Sequence, residues 1–134
     1  MRIARDIYLE KLKRGIGNGM IKVITGIRRC GKSYLLSELF REYLASIGID
    51  EAHIIEVALD DRANIALRDP DAMMSYVKSR ITDSGQYFIL LDEVQYMAEF
   101  EDVLNSLLHI RNAEIYVTGS NSHFLSSAIV TEFR

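Results

Sequence analysis

The segment that most constrains the fold runs from Val23 to Ser33. An apolar run leads into Gly26, four variable residues follow, and Gly31-Lys32-Ser33 then opens an amphipathic helical pattern. This is the phosphate-binding P-loop pattern in its required setting between a strand and a helix. Gly26 permits a sharp exit from the strand, and Gly31 lets backbone N–H groups close around a phosphate. The segment therefore predicts a nucleotide-binding site.

Two side chains of this loop carry the expected chemistry. Lys32 supplies a mobile positive charge for the β- and γ-phosphates, and Ser33 supplies a hydroxyl ligand for Mg²⁺. The helix that begins there adds its positive N-terminal end. The predicted nucleotide-binding residues are Gly26, Ile27, Arg28, Arg29, Cys30, Gly31, Lys32, Ser33 and Tyr34. Arg28 and Arg29 are also open to a plainer interpretation as exposed loop residues, and Cys30 as a small loop residue.

Length and composition limit the classes of protein that this chain can belong to. Its 134 residues suit one compact domain with a real core. A net charge of −3 argues against a general nucleic-acid surface, and one cysteine cannot build a disulfide framework. No apolar run approaches the length of a membrane span, and the N-terminus lacks the pattern of a signal peptide. We therefore expect a cytoplasmic protein without a membrane segment.

Strand and helix patterns alternate along the chain. The predicted strands are 20–25, 53–57, 87–93 and 113–117, and the predicted helices are 2–14, 32–47, one that starts at Pro70, 100–108 and a short one at 124–128. Five consecutive apolar residues at 87–91 indicate a strand that is covered on both faces. This order predicts an α/β fold with a parallel sheet and right-handed crossovers.

Asp92 and Glu93 follow the third predicted strand directly. Ligands bind at the C-terminal ends of the strands in open parallel sheets, so both carboxylates are expected beside the P-loop. Asp92 is predicted to hold Mg²⁺ next to Ser33, and Glu93 to accept a proton from the attacking water. Two solvated acids that merely close a strand would give the same pattern, but the P-loop favours the functional interpretation.

A third polar cluster, 118–121, follows the fourth predicted strand. Ser120 or Asn121 is predicted to contact the γ-phosphate or the water from the side opposite the P-loop. The pattern does not choose between these two residues, and ordinary turn chemistry would also place Ser and Asn there. The predicted catalytic set is thus Glu93, Lys32, Ser120 and Asn121, with Ser33 and Asp92 as metal ligands.

Three motifs together resemble the uncharacterised prokaryotic AAA-type P-loop ATPases, in which an ATPase module precedes a C-terminal domain of unknown function. The motifs are Gly26–Ser33, Leu90-Leu91-Asp92-Glu93-Val94-Gln95 and Val117-Thr118-Gly119-Ser120-Asn121-Ser122. The resemblance covers essentially the whole chain in order. It implies that residues 1–134, with an N-terminal helix at 2–14, form a single ATPase domain of a longer protein.

The resemblance also implies a specific architecture. We expect a P-loop NTPase fold, a three-layer α/β/α sandwich whose parallel strands lie in the order 1-4-3-2. The family has a fifth strand beyond strand 1 and continues past Arg134 with further arginines. We expect the fifth strand to be missing here, which would leave strand 1 at an edge of the sheet and remove possible arginine fingers.

The leading functional hypothesis is an ATPase module with ATP and Mg²⁺ as ligands. It would hydrolyse ATP to ADP and phosphate and drive a conformational change in its own C-terminal domain. Other copies of the same chain, in a homo-oligomer, are a further possible partner. Two alternatives remain open: a small-molecule kinase, and a nucleotide-gated switch with negligible turnover. A GTPase is disfavoured because the chain lacks an Asn-Lys-x-Asp guanine signature. Turnover by residues 1–134 alone is expected to be weak.

Overall fold

A computed structural model describes residues 2–26, 31–120 and 128–132 of the chain. Its strands are β1 (Ile21–Thr25), β2 (Ile54–Ala58), β3 (Tyr87–Asp92), β4 (Ala113–Gly119) and β5 (Ala128–Glu132). Its helices are α1 (Arg2–Arg14), α2, which comprises Lys32–Tyr34, Leu35–Phe40 and Arg41–Ser46, α3 (Pro70–Arg80) and α4 (Phe100–Leu108). The middle segment of α2 has π-helical hydrogen bonding, with right-handed helical dihedrals on both sides.

All five strands form one parallel sheet in the order β2-β3-β4-β1-β5. The predicted order of the first four strands is therefore confirmed. The prediction of a missing fifth strand is wrong, because β5 pairs in parallel with β1 from Ile21 opposite Ala128 to Thr25 opposite Glu132. Strand β1 accordingly lies inside the sheet, and β5 forms its edge. The predicted short helix at 124–128 is wrong at Ala128, which begins β5, and 124–127 lie outside the described residues.

Side chains of β3 alternate between two apolar cores, one on each face of the sheet. Tyr87, Ile89 and Leu91 pack into the core that also contains Met73 and Val77 of α3 and Leu104 of α4. Phe88 and Leu90 pack into the core on the other face, with Leu12 of α1 and Phe40 of α2. Because successive side chains of a strand point to opposite faces, a continuously apolar strand fills both cores. The result is the expected three-layer α/β/α arrangement.

Local sequence signals explain where the helices begin and end. Asp69 accepts a hydrogen bond from the Ala72 N–H at 2.9 Å, and Pro70 takes the first position of α3. After α2, Gly48 has φ 88°, a left-handed conformation that ends a helix at little cost for glycine. Within the described part of the chain, no helix is both long enough and apolar enough to span a membrane.

Candidate nucleotide-binding site

The C-terminal ends of β1, β3 and β4 bring the predicted site residues to one edge of the sheet. Thr25 lies opposite Gly119, and Leu91 lies opposite Val117 in the parallel register. The residues that follow each strand therefore emerge side by side. This common edge is where open α/β sheets bind ligands.

The first residues of α2 are held in place by Gly31. Gly31 has φ 99° and ψ 5°, a left-handed conformation that residues with a Cβ rarely adopt. This turn directs Lys32 inward, where it is 1% exposed, whereas Tyr34 two positions later is 45% exposed. Predicted residues Ile27, Arg28, Arg29 and Cys30 lie outside the described part of the chain.

Ser33 and Asp92 are brought together across the edge of the sheet. The Ser33 hydroxyl donates to Asp92 Oδ1 at 2.9 Å and lies 3.0 Å from Oδ2. Thr118 Oγ1 donates to Asp92 Oδ1 from the neighbouring strand. The pair thus presents a hydroxyl and a carboxylate at one point, the donor types that Mg²⁺ prefers in nucleotide sites.

Burial is the main reason why the pKa of Asp92 lies above its usual value, since a low-dielectric surrounding disfavours the charged carboxylate. The negative charges of Glu93 and Asp60 act in the same direction, while the hydroxyls of Thr118 and Ser33 oppose it. Three acidic groups therefore concentrate negative potential here. A divalent cation at this point would relieve that repulsion.

Lys32 and Glu93 form a buried ion pair. Lys32 Nζ lies 2.8 Å from Glu93 Oε2, with the two side chains 1% and 3% exposed. The pair is close but not aligned as a hydrogen bond, and Nζ has no hydrogen-bond partner among the described residues. A buried ammonium with unused donors is costly. The oxygens of a phosphate would satisfy those donors.

Glu93 adopts a left-handed backbone conformation, with φ 54° and ψ 57°. Its N–H donates to Thr118 Oγ1 at 2.8 Å, and the Tyr96 N–H donates to its carbonyl at 3.2 Å. Such a conformation costs on the order of 1 kcal/mol for a residue with a Cβ and is found most often at functional sites. Here it ends β3 abruptly and points the carboxylate at Lys32.

Gln95 and Ser120 complete the surroundings of the Glu93 carboxylate. Gln95 Nε2 donates to Glu93 Oε1 at 2.7 Å and to Ser120 Oγ at 2.9 Å. Ser120 Oγ lies 3.4 Å from Glu93 Oε1. Of the two sensor candidates, Ser120 thus lies beside the predicted catalytic carboxylate, and Asn121 falls outside the described residues.

Sequence reasoning did not predict the contacts of two members of this network, although it considered Gln95 as a possible sensor or packing residue. Thr118 connects Asp92 to the backbone of Glu93, although the sequence indicated only a buried hydroxyl at the end of a strand. Gln95 joins the ends of β3 and β4. The sequence shows Gln95 two residues after Glu93 and Thr118 immediately before Gly119, but only the register of β3 against β4 brings the end of β4 beside Asp92 and Glu93.

The described residues fit a nucleotide with its magnesium ion. Lys32 offers free donors in a buried setting, and Ser33 and Asp92 offer two oxygen ligands. Two protein ligands suit Mg²⁺ because it usually keeps several waters and binds substrate phosphates at its other positions.

Comparison with known proteins agrees with this arrangement. A family model described as an AAA domain matches residues 18–134. An uncharacterised protein of Haemophilus influenzae is 31% identical over 130 residues, which are 96% of this chain and 32% of that protein. The chain thus spans about a third of the length of this relative.

Solved structures with the same fold have low sequence identity. A DNA polymerase III gamma subunit-related protein of Thermotoga maritima superposes with a TM-score of 0.69 at 17% identity, over 94% of this chain and 45% of that one. PCH-2 of Caenorhabditis elegans superposes with a TM-score of 0.60 at 15% identity, over 98% of this chain and 39% of that one. At such identities the likeness is one of fold. Together with the family match over residues 18–134, it shows that the chain belongs to the AAA domain family, whose nucleotide-binding, ATPase-type fold it shares.

Proposed function

We propose that residues 1–134 form an ATPase domain that binds Mg-ATP, hydrolyses it to ADP and phosphate, and passes a conformational change to the rest of a longer protein. The observation that carries the proposal is the meeting of Ser33 with Asp92, and of Lys32 with Glu93, at one edge of the sheet. Each pair brings a P-loop residue beside a carboxylate at the end of β3, which gathers the cation, the hydroxyl and the two carboxylates that phosphoryl transfer from a nucleotide uses.

In the proposed mechanism, Lys32 turns from Glu93 to the β- and γ-phosphates. Ser33 and Asp92 would hold Mg²⁺, and the bound ion would neutralise negative charge on the phosphates. Glu93, freed from Lys32, accepts a proton from a water molecule whose oxygen forms a bond to the γ-phosphorus. The bond to the β,γ-bridging oxygen breaks, and its electron pair leaves with ADP. The Gly26–Gly31 loop and Tyr34 line the nucleotide, and Ser120 or Asn121 contacts the γ-phosphate.

Two substitutions separate binding from hydrolysis. Lys32→Ala should abolish ATP binding because it removes the buried positive charge. Glu93→Gln should keep binding but lose hydrolysis by about 10²-fold or more, since an amide cannot act as the base. Both are measured in the natural full-length protein, by nucleotide titration and by phosphate release. Glu101→Gln, on the first turn of α4, is the matched control, and hydrolysis by Glu93→Gln at the control rate would refute the catalytic assignment.

A nucleotide-gated switch with negligible turnover is the second candidate. It is favoured by one observation: the Glu93 carboxylate contacts Lys32 through one oxygen and Gln95 through the other. If these contacts persisted with ATP bound, the protein would change conformation but would have no free base for hydrolysis. A single-turnover assay distinguishes the two, because only the ATPase converts bound ATP to ADP without an added acceptor.

A further inference from the structure

Both oxygens of the Glu93 carboxylate are in use, and by different partners. Lys32 Nζ lies 2.8 Å from Oε2, while Gln95 Nε2 donates to Oε1 at 2.7 Å. The orientation of the Gln95 amide follows from chemistry, because an ionised carboxylate only accepts and the amide nitrogen must therefore face it. The two oxygens of Glu93 can therefore take separate roles in the proposed hydrolysis.

Gln95 also ties Glu93 to the neighbouring strand. The same Nε2 donates to Ser120 Oγ at 2.9 Å, so one amide group bridges the ends of β3 and β4. Its remaining acceptor, Oε1, is buried and has no hydrogen-bond partner among the described residues. A buried acceptor without a donor is costly, so a group that can donate an O–H, such as water, would be held well there.

The turn after β3 fixes where Gln95 points. The left-handed backbone of Glu93 starts a single 3₁₀ turn over Val94–Tyr96, which folds residue 95 back over the carboxylate. Met97 N–H closes the turn on the Val94 carbonyl at 3.0 Å, and Val94 itself is fully buried. The hydrogen bond that closes the turn and the burial of Val94 therefore place Gln95 beside the Glu93 carboxylate.

We propose that Gln95 is a positioning residue for ATP hydrolysis, an inference that rests on the proposed function. Its amide keeps Glu93 Oε1 fixed against Ser120 after Lys32 has turned to the phosphates. Oε2 is then the oxygen that is released, and it accepts the proton of the attacking water. Because the same amide also contacts Ser120, Gln95 links the base to the end of β4, the side from which Ser120 is proposed to contact the γ-phosphate.

The test compares two substitutions of Gln95 in the natural full-length protein. Gln95→Glu keeps the size of the side chain and loses the donor, and Gln95→Met loses the donor without adding charge. Each should lower kcat by about 10- to 100-fold, the range found when partners that orient a reacting group are removed. KM for ATP and the affinity for Mg-ATP should stay near those of the wild type. Gln86→Met, the same change at the other end of β3, should leave kcat unchanged.

A double substitution tests the bridge itself. Because one amide contacts both Glu93 and Ser120, Ser120→Ala should lower kcat far less in the Gln95→Met protein than in the wild type. Wild-type kcat in both Gln95 variants, or a rise in KM at unchanged kcat, would overturn the inference and leave the proposed ATPase intact. Wild-type protein that does not hydrolyse ATP would overturn the proposed function, and this inference with it.

Discussion

Lys32 and Glu93 show what a sequence can and cannot say about single residues. Their types and spacing predicted both as site residues, because P-loop chemistry needs a cation and a carboxylate at these two strand ends. The contact between them was not predictable, since it depends on how deeply each side chain is buried. The structure shows them paired and almost fully buried, at 1% and 3% exposure. Sequence pattern thus predicts which residues belong to the candidate site, whereas packing determines which of them contact one another.

The ion pair should be visible as thermodynamic coupling in the nucleotide-free protein. Lys32→Met leaves the Glu93 carboxylate buried without its counter-ion, which typically costs about 3–5 kcal/mol of unfolding free energy. The double substitution Lys32→Met and Glu93→Gln should recover a large part of that loss, because no unpaired charge remains. Urea unfolding of the wild type and the three variants gives the coupling energy.

A second ion pair, which is partly buried, provides the control for this cycle. Lys22 Nζ lies 2.6 Å from Glu114 Oε1, and neither residue contacts the Lys32–Glu93 pair in any described interaction. The effects of Lys32→Met and Glu114→Gln should therefore add. Additive effects of Lys32→Met and Glu93→Gln as well would show that the buried pair contributes no coupling.

At the scale of secondary-structure elements, β5 and α2 show what local sequence pattern does not predict. Strand β5 was predicted missing because the family resemblance placed the fifth strand beyond Arg134, and a short helix was predicted to end at Ala128. Its β-branched residues Ile129, Val130 and Thr131 favour a strand, and its place in the sheet comes from pairing with β1, a contact distant in sequence. The π-helical segment Leu35–Phe40 was likewise not predictable, since its apolar face has ordinary helical spacing. Strongly periodic elements such as α4 were predicted within a residue.

The start of α3 should depend on Asp69. Its side chain accepts the Ala72 N–H at 2.9 Å, which satisfies one of the free donors of the first turn. Asp69→Ala should lower the unfolding free energy by about 1 kcal/mol, whereas Asp69→Asn, which keeps an acceptor, should lose only a fraction of that. Chemical denaturation measures both, and an equal loss in the two variants would contradict a capping role.

The loop between α3 and β3 should make stability depend on pH in acid. Asp83 contacts His53 Nε2 at 3.0 Å and accepts the Gly85 N–H at 2.8 Å. The hydrogen bond with His53, followed by that from Gly85, lowers the pKa of Asp83 below its ordinary 3.8. Since the folded pKa is the lower one, the stabilisation is present above the unfolded pKa and is lost as pH falls through the folded value.

Asp83→Asn removes this titration. Its melting temperature should therefore fall less than that of the wild type as the pH is lowered from about 5 to about 2. Thermal unfolding followed by circular dichroism measures the difference, with Asp71→Asn on α3 as the exposed control. If the melting temperature of Asp83→Asn falls with pH as steeply as that of the wild type, while that of Asp71→Asn does not, this assignment is contradicted.

For the molecule as a whole, the layers and the order of the first four strands followed from alternation of elements and from the family resemblance. The position of the candidate site at one edge of the sheet was predicted as well, because the C-terminal ends of parallel strands lie at the same edge. What sequence could not supply was the network through Thr118 and Gln95, which exists only once β3 and β4 are in register. General architecture is set by patterning, and precise site chemistry is set by contacts between strands.

Nucleotide should stabilise the whole fold in a magnesium-dependent way. A hydrolysis-resistant ATP analogue at about 100 times its Kd should add about 2.7 kcal/mol to the unfolding free energy. Chelation of Mg²⁺ should remove much of this gain. In Ser33→Ala the gain should depend far less on Mg²⁺, because one proposed ligand is lost. Ser37→Ala, one turn further along α2, is the control, and equal magnesium dependence in both variants would contradict the role of Ser33.

The parallel pairing of β5 with β1 has a mechanical consequence. Glu132 lies opposite Thr25, so the C-terminal end of β5 lies beside the strand that leads into the predicted phosphate loop. Adjacent strands are only about 4.8 Å apart, and one ladder of hydrogen bonds connects them. A force that pulls on the chain beyond Glu132 is therefore transmitted to β1 across a single strand spacing. Because the same ladder holds both strands, a displacement of β1 should be accompanied by a displacement of β5.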